Sequence, residues 1–264
     1  MVKVCICFYG LVQRSLKYTI KSIETNILNV LKSNNIEYDI YVHTYNSNIC
    51  HSIRSGENNI SVNPDDYKLL NPYRFIIESY EKADNFVNYK KYKDITFNDD
   101  YNTILNWIRE MYSIKQVTTL WQDKKNDYDF FLYLRPDLIY VTTLPIVYLQ
   151  KVLNKFYNKH ILFTVPWGKS YGLNDFVGIG NYNAIVYWAN RIDTFDEYMT
   201  KINFNAEKHI QFVCEKYNIN NIDLPMLFYR KRSNGKSLIP IEFNNNFYLK
   251  MIQDAGCRIN TDYL

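Results

Sequence analysis

Three short groups of polar residues, each at the end of an apolar run, carry the side chains best suited to hold a phosphorylated ligand. An arginine guanidinium pairs with two phosphate oxygens at once, a glycine lets the backbone approach a ligand closely, and a carboxylate offers hard oxygen atoms to a divalent cation. The candidate binding residues are Tyr9, Gly10 and Arg14 in the first group, His43 and Thr44 in the second, and Arg135 and Asp137 in the third.

Arg135 and Asp137 flank Pro136 directly after a strongly apolar run, and their chemistry has two interpretations. In the first, Asp137 binds a divalent cation that bridges a diphosphate, with Arg135 beside it. In the second, the two side chains form an ion pair that closes the end of the strand. The residue types alone leave both interpretations open.

Two carboxylates in the second half of the chain are candidate catalytic bases. Asp175 follows a glycine-containing loop and is placed to accept a proton from a substrate hydroxyl, although Asn-Asp pairs more often cap turns. Glu207 opens a predicted helix, where a carboxylate also stabilises the helix dipole. Trp167, at the start of the loop that contains Asp175, either stacks on a ligand or fills the core.

Hydrophobic periodicity places the first two groups in a strand–helix–strand unit. Apolar residues alternate over 2–9 and 38–44, and they recur at helical spacing over 14–33. Two strands joined by one helix run parallel with a right-handed crossover, so their carboxyl ends lie at the same edge of the sheet. A further strand at 128–134 brings the third group to that edge, where parallel α/β sheets bind their ligands.

The rest of the chain is predicted to continue the same single domain, 1–264, after a long polar connection over 45–73. Ser233-Asn234-Gly235 predicts a tight turn between strands at 227–232 and 237–243. The other predicted elements are strands at 74–78, 160–165 and 176–179 and helices at about 101–122, 146–157, 181–199 and 206–217. Together they predict an α/β, Rossmann-like fold with a mixed, mainly parallel sheet flanked by helices.

Composition excludes several classes of protein. The net charge of +4 is weakly basic, and the clusters, including 230–232, are too short for a nucleic-acid tail. We interpret them as solvated faces, one of which could meet a phosphate. Five cysteines without regular spacing favour a reducing compartment over a disulfide framework. Because the chain also lacks a signal-like start and a membrane-length apolar run, we expect a soluble, cytoplasmic protein without membrane insertion.

The segment Phe8–Ile23 resembles the start of a group of glycosyltransferases from giant viruses, algae and bacteria, which reads roughly Gly-Leu-x-Arg-Ser-Leu. Their next element, Tyr-Asp-Ile-x-Val-His-Thr, is similar to Tyr38–Thr44. A Tyr-Asp…Arg-Pro-Asp-Leu element and a Gly-x-Asn-Asp-x-Phe-x-Ile-Gly element are similar to 128–138 and 172–180. The resemblance covers roughly 2–191.

The resemblance implies a GT-A fold that uses a nucleotide sugar, with a UDP-sugar as the first choice. It places Asp137 where the metal-binding aspartate of the DxD motif stands, with Mn²⁺ or Mg²⁺ as the cation. Residues 1–140 would then hold the nucleotide sugar, and 141–264 an acceptor on a glycan or glycoprotein. The alternatives are a nucleotidyltransferase of sugar phosphates and a non-catalytic glycan-binding or assembly protein. A viral origin would place the protein in host cytoplasm or virion.

This chain departs from the pattern of that group in three respects. Gly10 and Arg14 are one residue further apart than in the common form. Phe176 stands directly after Asp175, where an arginine is frequent. The Arg-Pro-Asp element supplies one carboxylate, Asp137, where two are usual. The first two departures bear on the contacts to phosphate, and the third bears on the metal.

Overall fold

The computed structural model describes residues 2–52, 55–92, 101–169, 171–201, 204–240, 243 and 245–263. The strands in these ranges are β1 (Lys3–Phe8), β2 (Glu37–Tyr45), β3 (Ile49–Ser52), β4 (Glu57–Ser61), β5 (Arg74–Glu78), β6 (Phe130–Leu134), β7 (Leu138–Tyr140), β8 (His160–Thr164), β9 (Val177–Gly180), β10 (Ile219–Asp223), β11 (Phe228–Lys231) and β12 (Ser237–Leu238). The α-helices are α1 (Leu16–Ile23), α2 (Asn29–Ser33), α3 (Tyr80–Asp84), α4 (Asn102–Thr119), α5 (Ile146–Lys155), α6 (Tyr182–Ala189), α7 (Phe195–Lys201), α8 (Ala206–Lys216) and α9 (Asn246–Asp254).

A seven-stranded sheet forms the centre of the fold, in the order β10-β8-β9-β6-β1-β2-β5. Neighbouring strands are parallel except at β9, which is antiparallel to both β6 and β8. The chain builds one side of the sheet from β1 through β2 to β5, then returns to β6 and builds the other side. The winding direction reverses between β1 and β6, and crevices at such switch points bind ligands in α/β proteins. The predicted mixed, mainly parallel sheet flanked by helices is confirmed.

The predicted strand–helix–strand unit is present, with an irregularity in its helix. A π-helical turn over Glu24–Leu28 joins α1 to α2, so that the helical segment runs from residue 16 to residue 33. Asn26 lies in this turn, is buried, and donates its side-chain amide to the carbonyl of Tyr140 at 2.6 Å. The π-turn therefore places the side chain of Asn26 against β7, the strand that follows Asp137.

The long polar connection predicted at 45–73 contains regular structure that its composition concealed. β3 and β4 form an antiparallel hairpin with an irregular register near Ser52, and a 3₁₀ turn follows at Asp66–Leu70. Alternation of apolar residues is weak here because much of β4 is exposed. The hairpin carries the fully buried Glu57 to the arginines described below.

A second, three-stranded sheet in the order β12-β11-β7 covers the end of β6. The predicted turn is present: Gly235 has a φ of +81°, and Arg232 donates its backbone N–H to the carbonyl of Lys236 at 2.9 Å. The strand predicted over 237–243 is shorter, Ser237–Leu238, and positions 241 and 242 of that prediction lie outside the described residues. β11 pairs with β7 in antiparallel register, and Lys231 donates its N–H to the carbonyl of Asp137 at 2.8 Å. This pairing places a basic hairpin against Arg135 and Asp137.

Helices pack on both faces of the central sheet and enclose its apolar side chains. Cys5 and Cys7 are buried in the core as predicted, and all five cysteines are free. The helix predicted at 181–199 is divided into α6 and α7 by a 3₁₀ turn at Arg191–Thr194. Among the helices of the described ranges, none combines the length and the apolar character that a membrane crossing requires.

Candidate functional site

The loop after β1 lies at the switch point, and buried side chains hydrogen-bond to its backbone. Gly10 has a φ of +89°, a conformation that side chains disfavour, and it donates its N–H to the Ser113 hydroxyl at 2.6 Å. The same hydroxyl lies 2.6 Å from Nδ1 of His43, while the hydroxyl of Thr44 accepts the N–H of Val12 at 3.1 Å. His43 and Thr44 are fully buried. Their position therefore favours support of the loop over direct contact with a ligand.

Arg135 and Asp137 form the ion pair that the second interpretation predicted. Nε and Nη2 of Arg135 donate to the two carboxylate oxygens of Asp137 at 2.9 and 3.0 Å. A third guanidinium nitrogen reaches Glu110, on α4, at 3.1 Å. Burial alone would raise the pKa of the Asp137 carboxyl, but the charge and hydrogen bonds of Arg135 outweigh it and hold that pKa well below its usual range.

Arg14 is held by Glu57 on the β3–β4 hairpin. Nε of Arg14 donates to one carboxylate oxygen at 3.0 Å, and Nη2 donates to the other. Glu57 also accepts the backbone N–H and the hydroxyl of Ser233 at 2.8 and 2.7 Å. Burial would raise the pKa of Glu57, yet these bonds and the Arg14 charge lower it to about 2. The pair joins the segment after β1, the β3–β4 hairpin and the β11–β12 turn.

Arg230 and Arg232 on the basic hairpin complete a group that we call the arginine cluster: Arg14, Arg135, Arg230 and Arg232. Arg232 is 7% exposed, so the prediction that this stretch is a solvated face is wrong there. Its Nη1 lies 4.0 Å from Glu57, and its buried Nε has no hydrogen-bond partner among the residues that the structure describes. Burial, followed by repulsion from Arg14 and Arg230, lowers the pKa of Arg232 to about 10. These two charges are incompletely neutralised.

The arginine cluster carries more positive than negative charge. Three of its guanidinium groups, those of Arg14, Arg135 and Arg232, lie within 4.0 Å of the carboxylates of Asp137, Glu57 or Glu110. The charges of Asp137 and Asp175 act on the fourth, that of Arg230. Burial raises the pKa of Glu110, with the charge of Asp175 acting in the same direction. Counted with Arg191 and Asp175, whose charges also act on Glu110, five guanidinium groups stand against four carboxylates, so the excess is one positive charge when Glu110 is ionised and two when it is protonated. Buried cations that lack partners are costly unless an anion joins them, so the site is suited to an anionic ligand.

A divalent cation does not fit the residues around Asp137. Both oxygens of this carboxylate are occupied by Arg135, and the charges of Arg14 and Arg232 also act on it. Mg²⁺ and Mn²⁺ prefer several carboxylate or other oxygen ligands, whereas here guanidinium groups surround a single carboxylate. Within the part of the chain that the structure describes, no group of three or more His, Cys, Asp or Glu side chains is arranged to hold a metal.

A second polar group, which we call the inner cluster, lies beneath Phe176 and comprises Tyr9, Glu110, Asp175 and Arg191. The hydroxyl of Tyr9 donates to the carbonyl of Phe176 at 3.3 Å. Within the described ranges, three buried atoms in the cluster have no hydrogen-bond partner: Oε1 of Glu110, Oδ1 of Asp175 and Nε of Arg191. Buried polar atoms are normally satisfied by protein, water or ligand. Asp175 therefore keeps an acceptor oxygen free next to the arginine cluster.

Phe176 contacts two guanidinium groups, that of Arg135 directly after β6 and that of Arg230 on β11. Its ring centroid lies 5.5 Å from the guanidinium carbon of Arg135 and 5.0 Å from that of Arg230. Such contacts orient guanidinium groups without using their N–H donors. Phe176 stands where an arginine is frequent in the resembling group. Here it instead orients two arginines from other parts of the chain, Arg135 and Arg230.

Trp167 adjoins this region through a ring contact with Phe176, at 6.1 Å between centroids, and Glu207 lies at the start of α8. Glu207 is half-buried in the first turn of α8, and its carbonyl accepts the N–H of Leu173 at 3.0 Å. Trp167 is 2% exposed, packs against Phe228 at 4.7 Å between ring centroids, and donates its indole N–H to the carbonyl of Met226 at 3.0 Å. Trp167 is accordingly a core residue and is not available for stacking on a ligand.

The structure brings most of the predicted residues to one place and adds others that the sequence did not reveal. Tyr9, Gly10, Arg14, Arg135, Asp137 and Asp175 all belong to the switch-point region. The additional residues are Glu57, Glu110, Arg191, Arg230 and Arg232. The basic stretch at 230–232 was visible in the sequence, and its hairpin signature was the one signal that it could fold back onto the site.

Comparison with known proteins gives no family for this chain. No family model matches it, and no curated protein matches it. Three solved structures each align with 84% of this chain. The first is a glycosyltransferase involved in the glycosylation of the major capsid of PBCV-1, with 9% identity, a TM-score of 0.39 and 82% of its own chain covered. The others are mouse xyloside xylosyltransferase 1, with 10% identity, a TM-score of 0.43 and 85% covered, and the glycosyltransferase GlyE of Streptococcus pneumoniae, with 12% identity, a TM-score of 0.36 and 45% covered. Similarity at this level identifies neither a family nor an activity.

Proposed function

We propose that this protein is a glycosyltransferase that moves a sugar from a nucleoside diphosphate to a hydroxyl acceptor. The observation that carries the proposal is the arginine cluster, with its excess positive charge, at the switch point between β1 and β6. A diphosphate is the anionic group that such a cluster fits, because guanidinium groups pair with phosphate oxygens two at a time. The resemblance of the strand-end motifs to glycosyltransferases of the GT-A type points to the same chemistry.

In this proposal the arginines act on the leaving group. As the bond between the anomeric carbon and the diphosphate oxygen breaks, negative charge grows on that oxygen. Arg230 and Arg232, whose charges are incompletely neutralised, would stabilise it, with Arg135 held behind them by Asp137. Donors that are fixed before the reaction stabilise developing charge without paying for reorganisation, which is why such groups contribute strongly to catalysis.

Asp175 is the proposed catalytic base. Its Oδ1 is buried and accepts no hydrogen bond from the residues that the structure describes, and the carboxylate lies within the electrostatic reach of Glu110, Tyr9 and Arg230. If the reaction inverts the anomeric centre, this oxygen accepts the proton of the acceptor hydroxyl as the hydroxyl oxygen attacks the anomeric carbon. Glu207 is the second candidate. A reaction that retains the configuration requires neither residue in that role.

The finer assignments belong to the same proposal. The loop at Tyr9 and Gly10 would approach the nucleotide, with His43 and Thr44 behind it. Residues 1–140 would bind a UDP-sugar, and residues 141–264 an acceptor on a glycan or glycoprotein. The proposed setting is the cytoplasm.

A panel of UDP-, GDP- and TDP-sugars tests the function. The protein is incubated with each donor and a mixture of hydroxyl acceptors, once with Mn²⁺ and once with EDTA, and the released nucleotide is measured. Release of nucleoside diphosphate supports a glycosyltransferase. Release or consumption of pyrophosphate would instead identify a nucleotidyltransferase. No turnover with any donor, together with binding to a glycan array, would overturn the proposal in favour of a glycan-binding protein.

A further inference from the structure

The residues around Asp137 have a consequence for how the diphosphate is bound. We propose that the arginine cluster binds the diphosphate directly, without a bridging divalent cation, and that Asp137 orients Arg135 instead of binding a metal. The inference deepens the proposed function and rests on it for the nature of the ligand. The inference concerns how the arginine cluster binds phosphate groups, so it is testable with diphosphates that carry no sugar.

The geometry at Asp137 is the first support. Its two oxygens accept parallel hydrogen bonds from Arg135 at 2.9 and 3.0 Å, the bidentate arrangement that guanidinium and carboxylate groups favour. A cation at Asp137 would have to displace Arg135, whose side chain is 13% exposed and also bonds to Glu110. It would then stand among guanidinium charges in a buried place, where repulsion between like charges is weakly screened.

The second support comes from the two arginines of the hairpin. In the part of the chain that the structure describes, Nε of Arg232 is buried without a hydrogen-bond partner, and the carboxylate contact of this side chain, between Nη1 and Glu57, is 4.0 Å long. Over the described residues, the guanidinium of Arg230 makes no ion pair within 4.0 Å and instead lies over Phe176. A diphosphate would supply acceptor oxygens to the Nε of Arg232 and a counter-charge to Arg230. In a metal-dependent site the cation supplies that positive charge, whereas here side chains already supply it.

The proposal predicts an unusual response to metal. A divalent cation in solution chelates a diphosphate and cancels most of its negative charge. A pocket that recognises the anion through arginines therefore binds the chelate less tightly than the free diphosphate. A pocket that requires a bridging metal shows the opposite response, because it binds only the chelate. The sign of the metal effect on affinity separates the two.

Isothermal titration calorimetry of the full chain with UDP and with inorganic pyrophosphate makes the measurement. Each titration is run with EDTA and with an excess of Mn²⁺. We expect binding in EDTA and a severalfold weaker affinity with Mn²⁺. Binding that appears only with Mn²⁺ overturns the inference and leaves the glycosyltransferase proposal standing. No binding under either condition overturns the inference as well.

Two substitutions and one matched control extend the test. Arg230→Gln should weaken binding of pyrophosphate in EDTA by about 10- to 100-fold, the value of one or two charge-assisted hydrogen bonds. Asp137→Asn should weaken that affinity by no more than about tenfold, because asparagine keeps one of the two acceptor oxygens that orient Arg135, and binding should still occur in EDTA. Arg258→Gln removes an equal charge from an exposed arginine outside the cluster and should have little effect.

The substitutions distinguish the inference from its rival even if one variant folds poorly. If Asp137 is a metal ligand, pyrophosphate binding requires Mn²⁺, and Asp137→Asn abolishes that binding even when Mn²⁺ is present. If Asp137→Asn is unstable by thermal unfolding, Arg230→Gln carries the test alone, and equal losses for Arg230→Gln and Arg258→Gln would refute the inference. Pyrophosphate binding in EDTA with no nucleotide release from any donor would support the metal-free pocket while refuting sugar transfer.

Discussion

Replacing Glu57 by glutamine is the most informative single test of how the site is held together. Glu57 has no exposed surface, and it accepts two hydrogen bonds from Arg14, two from Ser233 and one from the thiol of Cys50. Glutamine keeps the size and shape of the side chain and removes its charge. Arg14 would then remain largely buried without a counter-ion, while the backbone of the two hairpins stayed unchanged.

The magnitude follows from the pKa of Glu57, which is lowered from 4.5 to about 2. Each pH unit corresponds to about 1.4 kcal/mol, so the ionised carboxylate stabilises the folded protein by about 3 kcal/mol at neutral pH. Loss of one partner of a buried ion pair commonly costs about 3–5 kcal/mol, which agrees with that figure. We expect Glu57→Gln to lower the free energy of unfolding by about 3 kcal/mol at pH 7.

The sign of the pH dependence gives a second check. Because the pKa of Glu57 is lower in the folded than in the unfolded protein, its stabilisation is complete above pH 4.5 and is lost as the pH falls towards 2. The difference between the variant and the unaltered protein should therefore shrink between about pH 5 and pH 3. Urea unfolding followed by tryptophan fluorescence measures both quantities.

Glu215→Gln is the matched control, since Glu215 is exposed and its contact is with Gln211 on the same helix. That variant should differ little from the unaltered protein at any pH. A loss below about 1 kcal/mol for Glu57→Gln would place the pair among weak surface ion pairs. That result, or a loss that stays constant from pH 5 to pH 3, would refute the reasoning.

Three further predictions concern the remaining parts of the site and fold. Asp175→Asn should reduce turnover by about 100-fold or more while leaving UDP affinity nearly unchanged, and an equal loss in affinity would assign Asp175 to binding. Gly172→Ala should lower the melting temperature markedly, since the new Cβ would lie 2.2 Å from the carbonyl carbon of Glu207, a backbone atom that cannot rotate away. Burial lowers the pKa of His43 to about 4 and that of His209 to about 3. Because these side chains are neutral in the folded protein and gain a proton more readily when it unfolds, the free energy of unfolding should be highest above pH 6.5 and fall as the pH drops from 6.5 towards 4. Thermal unfolding at stepped pH checks this, and a melting temperature that is constant over that interval would contradict it.

The local elements of the first half could be predicted because each is written in neighbouring residues. β1, β2 and β6 are apolar runs, and the helical spacing over 14–33 needs no distant partner. The parallel pairing of β1 with β2 followed from the helix between them. The β11–β12 hairpin was likewise signalled by its turn residues.

Elements that depend on packing were predicted less well. β9 is inserted antiparallel between β6 and β8, and no feature of its four residues indicates that direction. The β3–β4 hairpin has little apolar alternation because most of its side chains face solvent. Glu57 is fully buried, and the polar composition of the segment gave no indication of that burial.

By itself, the sequence determined that Arg135 and Asp137 stand at the end of a buried strand, at the edge where β1 and β2 also end. It left open whether the carboxylate binds a metal or an arginine, because that choice depends on which charges the rest of the chain brings near. Only the tertiary structure brought Arg14, Arg230 and Arg232 to that carboxylate. Electrostatic energy depends on distance in space, and positions far apart in the chain become neighbours only when the sheet order and the hairpins are fixed.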